Sequence, residues 1–109
     1  MSDVLGTFEQ AVLIAILRLK DEAYGRAIMK EVQARLQREV AAGAIYATLD
    51  RLEAKGLTSS RLGSGTPQRG GMARRFYTLE GAGFKALTAS KTTTANIWHG
   101  ITLPAKGRV

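Results

Sequence analysis

Across its midpoint the chain reads Gly43-Ala44-Ile45-Tyr46-Ala47-Thr48-Leu49-Asp50-Arg51-Leu52-Glu53-Ala54-Lys55-Gly56-Leu57. Ile45, Leu49 and Leu52 recur at the 3.6-residue period of a helix, which predicts that they face a core. Gly56 is a residue that commonly follows the last turn of a helix. The pattern therefore predicts an amphipathic helix over about Gly43 to Lys55 that runs directly into the next element.

A glycine-rich and arginine-rich segment follows further along. It reads Thr66-Pro67-Gln68-Arg69-Gly70-Gly71-Met72-Ala73-Arg74-Arg75-Phe76-Tyr77. Residues 57–62 and 73–79 have the composition of paired strands, and the glycines between them let the backbone bend and approach a ligand. Arginine suits phosphate oxygens and narrow minor grooves. Helix, strand, basic tip and strand predict a winged helix-turn-helix, mainly α with a small β-hairpin. The alternative is a charged hairpin without a partner.

Two helices are expected before the quoted stretch. The first begins with Thr7 as its N-cap, in capping-box spacing, and ends at about Leu19. It is apolar around most of its circumference and so must bury more than one face. Either a second subunit or the chain's own core can cover it. The second helix is expected over about 25–37, and its buried stripe comprises Ile28, Val32 and Leu36.

The charge of the chain is unevenly distributed. Its formal net charge is +7, and acids and bases nearly cancel up to Glu53. Beyond that point Glu80 is the only acid against nine lysines and arginines. A one-sided basic half predicts a polyanionic partner, nucleic acid first and a membrane surface second. A solvated basic surface is the alternative interpretation.

Several function classes find no support in the residues. There is no cysteine, which excludes disulfides and thiolate metal sites and suits a reducing cytoplasm. The apolar run Val12 to Leu17 is too short to span a bilayer and lacks a signal-peptide layout. His99 is the only histidine, and no nucleophile elbow or phosphate loop occurs. We expect a cytoplasmic protein that is no enzyme and has no catalytic residues, metal, cofactor or membrane partner.

A final helix is expected over about 81–100. Its larger apolar residues recur at spacings typical of a coiled-coil seam, although Lys91 and the neighbouring threonines weaken that seam. Phe84 and Trp98 would line a dimer-interface cavity for a flat hydrophobic effector. In the alternative interpretation Trp98 simply anchors the dimer.

These residues resemble the PadR family of bacterial transcriptional regulators. Four segments carry the resemblance: Leu5-Gly6-Thr7-Phe8-Glu9-Gln10, Asp21-Glu22-Ala23-Tyr24-Gly25, the block from Gly43 to Leu57, and Pro67-Gln68-Arg69-Gly70-Gly71 with Arg75-Phe76-Tyr77. The resemblance implies a winged helix-turn-helix over residues 1–80, a C-terminal dimerisation helix over 81–101 and a tail over 102–109, which we expect to be frayed. It also implies a homodimeric transcriptional repressor that binds inverted-repeat operators in double-stranded DNA. In such proteins repression is often relieved by a small molecule.

The resemblance puts the third helix in the major groove. The DNA-binding residues that we expect are Tyr24, Ala44, Tyr46, Ala47, Arg51, Arg69, Arg74 and Arg75. Tyr46 lies at the border of two helix faces, where it either reaches a phosphate or packs at the core edge. Arg51 and Asp50 are the main candidates for hydrogen-bonded base contacts, whereas Thr48 is expected to pack inside.

This chain also departs from the family pattern. Family members commonly carry Thr-Pro where it has Glu80-Gly81, so the last helix lacks its usual cap and first-turn proline. We therefore expect that helix to start late or to be less stable. Because a fold does not fix a function, the alternative is a winged-helix module that binds another protein without binding DNA.

Overall fold

The computed structural model describes residues 4–63 and 73–105. The helices there are α1 (Thr7–Leu19), α2 (Gly25–Leu36), α3 (Ala42–Ala54) and α4 (Gly81–Trp98), and the strands are β1 (Thr58–Leu62) and β2 (Arg75–Leu79). A short 3-10 turn links α1 to α2. The predicted fold class, mainly helical with one antiparallel hairpin, is confirmed. None of the described helices is both long and apolar enough to cross a membrane.

The first three helices pack around one apolar core. Its fully covered side chains are Val12, Leu13, Ile16, Ile28, Val32, Ile45, Leu49 and Leu52. Each such side chain stabilises the fold by about 1.5–3 kcal/mol relative to an exposed one. The predicted stripes of α2 and α3 are thereby confirmed, although Leu36 is only partly buried. On α1, Ile14 is partly covered and Leu17 is exposed, so one side of this helix has no cover from the described chain.

The start of α1 differs from the prediction. Gly6 is the N-cap and Thr7 is already helical, so the Thr7 cap is wrong. The Glu9 carboxylate accepts a hydrogen bond from the Gly6 backbone N–H at 3.1 Å. In a capping box the side chain of the third helical residue accepts a hydrogen bond from the backbone of the N-cap residue, and Glu9 makes this bond here. The box is therefore shifted by one residue, and the glycine needs no side-chain oxygen to occupy the cap.

The hairpin is attached to the helices through backbone hydrogen bonds. β1 and β2 pair antiparallel, from Thr58 opposite Leu79 to Leu62 opposite Arg75. The Tyr77 N–H donates to the Ala23 carbonyl at 2.8 Å, and Tyr24 forms an isolated antiparallel bridge with Phe76. Residues 23–24 thus act as a short third strand, which holds the N-terminus of α2 beside the hairpin.

The last helix begins at residue 81, as its apolar pattern predicted. α4 starts at Gly81 with Glu80 as its N-cap, so the expected late start is wrong. The Glu80 N–H donates to the Leu57 carbonyl at 3.0 Å, and the Ser59 hydroxyl donates to the Glu80 carboxylate. These contacts with β1 fix the start of α4 without a hydroxyl cap. Only Gly83 and Ser90 of α4 are buried, and residues 91–100 are all exposed.

Candidate nucleic-acid interface

The exposed side of α3 consists mainly of small residues. Gly43, Ala47, Asp50 and Ala54 are exposed and recur at spacings of three and four, so they form one row opposite the core. Thr48 is only 3% exposed, which confirms that it packs inside. Small side chains let the helix backbone come close to a surface in front of it. We call these four residues the outward row.

Arg51 lies beside the outward row, on the side of α1. Its Nε is 3.8 Å from Glu9 Oε2, and its Nη2 donates to Thr48 Oγ1 at 3.2 Å. The Lys55 ammonium donates to the same Glu9 oxygen at 3.5 Å. Glu9 therefore ties α1 to α3 and draws both cations toward α1. Such half-exposed ion pairs contribute only about 0.2–1 kcal/mol, so a phosphate or a base can compete for Arg51.

Tyr46 packs at the core edge, which is one of the two roles that the sequence left open, and it remains accessible to solvent. Its side chain is about half exposed, and its ring and hydroxyl lie directly over Gly25 at the start of α2. A Cβ at Gly25 would clash with the hydroxyl and the ring. Tyr46 thus packs between the two helices and keeps an accessible edge beside the helix N-terminus.

Arginine and aromatic side chains alternate where the hairpin meets α2. The Arg74 guanidinium lies 4.2 Å from the centre of the Tyr24 ring. Tyr24 meets Phe76 edge to face at 5.8 Å, and Arg61 lies 5.2 Å from the Phe76 ring centre. Each exposed cation–π contact is worth about 0.5–1 kcal/mol. We call Arg61, Phe76, Tyr24 and Arg74 the aromatic stack. It places the Arg74 guanidinium over Tyr24, the N-cap residue of α2, and the Arg61 guanidinium over Phe76 in the hairpin.

Sequence reasoning missed two members of this stack. Arg61 and Phe76 were not expected at the site, yet they lie directly opposite each other in the hairpin register. The available signal was a basic residue directly opposite an aromatic one on the paired strand. This pairing can be recognised only when the register of the two strands is known. Arg75 was expected, and its Nη1 donates to Ser60 Oγ at 3.0 Å. Arg69 and the tip of the predicted wing lie outside the described residues.

Tyr77 lies inside the hairpin and packs against the core. Burial raises the pKa of its phenol above the usual 10.0, and the negative charge of Asp50 raises it further, while Arg75 lowers it. The phenol therefore stays neutral to a higher pH when the hairpin is folded than when the chain is unfolded.

An apolar groove runs between α1 and α4. It has a volume of about 600 Å³, and its larger lining side chains are Ile14, Leu17, Phe84, Leu87 and Trp98. The structure thus brings the two expected effector residues, Phe84 and Trp98, into one groove.

Three helices with an attached basic hairpin and a further projecting helix define the class: a winged helix-turn-helix of the kind found in transcription regulators.

Comparison with known proteins identifies the family. Residues 13–89 match the sequence model of the Transcriptional regulator PadR-like family, which covers well over half of the chain. This protein belongs to the PadR-like family. Its members regulate transcription and are not enzymes. A search of curated proteins finds no match.

Solved structures show the same architecture. A PadR family transcriptional regulator from Eggerthella lenta DSM 2243 is 25% identical, with 82% of this chain and 75% of that chain covered and a TM-score of 0.65. A PadR family regulator from Clostridium difficile R20291 is 27% identical, covering 87% and 100%, with a TM-score of 0.62. RosR from H. salinarum is 27% identical, covering 90% and 81%, with a TM-score of 0.65.

Proposed function

We propose that this protein is a dimeric repressor that binds an inverted-repeat operator in double-stranded DNA in the cytoplasm. The α3 helix enters the major groove, and the hairpin lies on the adjacent backbone. The contacts come from Tyr24, Ala44, Tyr46, Ala47, Arg51, Arg69, Arg74 and Arg75. The observation that carries this proposal is the outward row of α3 beside a hairpin whose arginines are braced by aromatic rings.

The hairpin and the outward row of α3 would contribute differently to DNA binding. The arginines of the hairpin supply phosphate contacts, which give affinity for any sequence. The outward row supplies close approach to base edges, and Ala44 and Ala47 suit thymine methyl groups. Because few long polar side chains stand on α3, a share of the specificity comes from the shape of the DNA.

In this proposal residues 1–80 bind DNA, residues 81–101 form the dimerisation helix and residues 102–109 are a tail. The apolar groove between α1 and α4 would receive the same helices of a second copy. Within this groove Phe84 is 49% exposed and Trp98 is 51% exposed, and contiguous apolar surface of this kind marks an interaction site. A two-fold dimer would then set two α3 helices about one helical turn of DNA apart.

The groove would also take a small hydrophobic or aromatic effector. Phe84 and Trp98 offer ring faces to such a compound. In the alternative, Trp98 serves only to anchor the dimer. Quenching of the sole tryptophan by aromatic compounds separates the two, provided that a Trp98 substitution that keeps the dimer abolishes binding of the compound.

The test of the function is fluorescence anisotropy with DNA from upstream of the gene and with a scrambled duplex, across a salt series. Tight binding to the upstream DNA alone is expected, with log affinity falling linearly as log salt rises. The Arg74→Ala/Arg75→Ala variant should bind all sequences more weakly and reduce the slope by about 1–2. A Lys85→Ala/Arg35→Ala variant loses the same charge away from the site and is the control.

Two results would overturn this function. Unchanged affinity and slope in the Arg74→Ala/Arg75→Ala variant would remove the role of the hairpin. No binding to either duplex at low salt would favour the protein-interaction module, which the weak charge of the outward row would suit. A protein complex that persists at high salt would support that alternative.

A further inference from the structure

The outward row contains one side chain that can form hydrogen bonds with a base. Gly43, Ala47 and Ala54 offer only backbone and methyl groups, whereas Asp50 is an exposed carboxylate. Within the part of the chain that the structure describes, Asp50 has no hydrogen-bond or ion-pair partner. Its acceptor oxygens are therefore available to a ligand in front of α3.

The neighbouring candidate, Arg51, is directed elsewhere. Successive residues on a helix are about 100° apart. Asp50 points away from the core, so the side chain of Arg51 projects to one side of α3, toward α1. Its contacts with Glu9, at 3.8 Å, and with Thr48, at 3.2 Å, hold it there. Asp50 is thus the polar group nearest the centre of the exposed surface of α3.

The chemistry of a carboxylate limits which base it can select. An ionised carboxylate accepts hydrogen bonds and donates none. In the major groove only the cytosine N4 and adenine N6 amino groups are donors, and the adenine amino group lies beside the N7 acceptor, which repels a carboxylate. Guanine and thymine offer acceptors at the corresponding edge. Cytosine is therefore the base that fits Asp50.

We propose that Asp50 determines specificity by selecting a C·G pair in each half-site, where its carboxylate accepts a hydrogen bond from the cytosine N4 amino group. An aspartate side chain is short, so it reaches a base edge only if the helix backbone comes close. Ala47 and Ala54, one turn before and after Asp50, allow that approach. This inference rests on the proposed binding of DNA by α3.

The test is selection of binding sites from a randomised duplex library by the full-length protein, followed by affinity measurements on the enriched sites. The wild-type protein should prefer cytosine at one position of each half-site by about tenfold over the other bases. The Asp50→Asn variant should prefer adenine at that position, because asparagine pairs with adenine N6 and N7. The Asp50→Ala variant should lose the preference there and bind all sequences more tightly, because a charge that repels phosphate is gone.

Glu53→Gln is the matched control, because it removes an exposed carboxylate of α3 that lies outside the outward row. It should raise general affinity and leave every base preference unchanged. The same preferred bases at every position for wild type, Asp50→Asn and Asp50→Ala would overturn the role of Asp50 while keeping the DNA-binding function. No enriched sequence with the wild-type protein would overturn both.

Discussion

α1 and α4 are both helices with exposed apolar residues, but the rest of the chain covers them to very different extents. α1 buries Ala11, Val12, Leu13, Ala15 and Ile16, whereas α4 buries only Gly83 and Ser90. The core shared with α2 and α3 therefore holds α1 in place. α4 is fixed at its first turn by β1, and its apolar side chains remain open to a partner. We therefore propose that folding depends mainly on α1, whereas assembly depends on α4 together with the exposed side of α1.

The largest effect is expected from substitution in the covered helix. Leu13→Ala removes a fully buried side chain and should lower the free energy of unfolding by about 2–5 kcal/mol. Leu17→Ala, one turn later on the exposed side, is the control and should cost much less in a dilute, monomeric sample. Urea denaturation measures both. Equal losses would show that α1 is not covered by its own chain.

In the uncovered helix we expect an effect on assembly instead. Trp98→Ala removes a large exposed ring and should weaken the dimer by about ten- to a hundredfold. The unfolding free energy of the dilute monomer should stay close to that of the wild type. Sedimentation equilibrium measures the dimer, with His99→Ala as the control at the neighbouring position. A wild-type protein that stays monomeric at all concentrations would contradict the proposed dimer.

The packing of α4 against Leu57 and Leu79, at the base of the hairpin, is tested by two glycines in its first turn. A Cβ at Gly83 would clash with the Leu57 carbonyl oxygen and the Leu79 side chain, whereas nothing lies near a Cβ at Gly81. Gly83→Ala should therefore destabilise the protein by about 1–3 kcal/mol. Gly81→Ala should be neutral or stabilise it by about 0.4–1 kcal/mol. Thermal unfolding compares them, and equal midpoints would mean that α4 does not pack closely against Leu57 and Leu79.

The smallest effect concerns the buried phenol of Tyr77, which packs against the core that covers α1. Because the pKa of Tyr77 is raised in the folded state, its neutral form is favoured by folding. The stability from this shift is complete below pH 10.0, the usual pKa, and is lost as the pH rises through the raised value. Tyr77→Phe should flatten the fall of the urea midpoint at alkaline pH. If the urea midpoint of the variant falls as steeply as that of the wild type, ionisable groups other than Tyr77 cause the loss of stability.

The sequence predicted those elements whose signals are local. The spacing of Ile45, Leu49 and Leu52 is contained within one helix, and the bounds of α3 agree with the expected ones to a residue at each end. Glu80 and Gly81 alone argued wrongly for a late start of α4, whereas the helix pattern predicted residue 81, which is the observed start. It is set by hydrogen bonds with Leu57 and Ser59, which are distant along the chain.

The same distinction applies to the candidate interface. Helical periodicity was enough to place Ala47 and Asp50 on the exposed side of α3. It could not show that Arg51 is paired with Glu9, because that contact joins two helices far apart in sequence. Arg61 and Phe76 come together only through the hairpin register. Contacts between elements, unlike spacing within them, depend on the whole fold.

The missing side chain at Gly25 constrains another helix as well. The Tyr46 ring occupies the space that a Cβ at position 25 would need, so a larger residue there would displace the ring unless position 46 also became smaller. Positions 25 and 46 should therefore covary among relatives. Any redesign of the exposed side of α3 has to treat the two positions as one unit, because the Tyr46 side chain joins α3 to the start of α2.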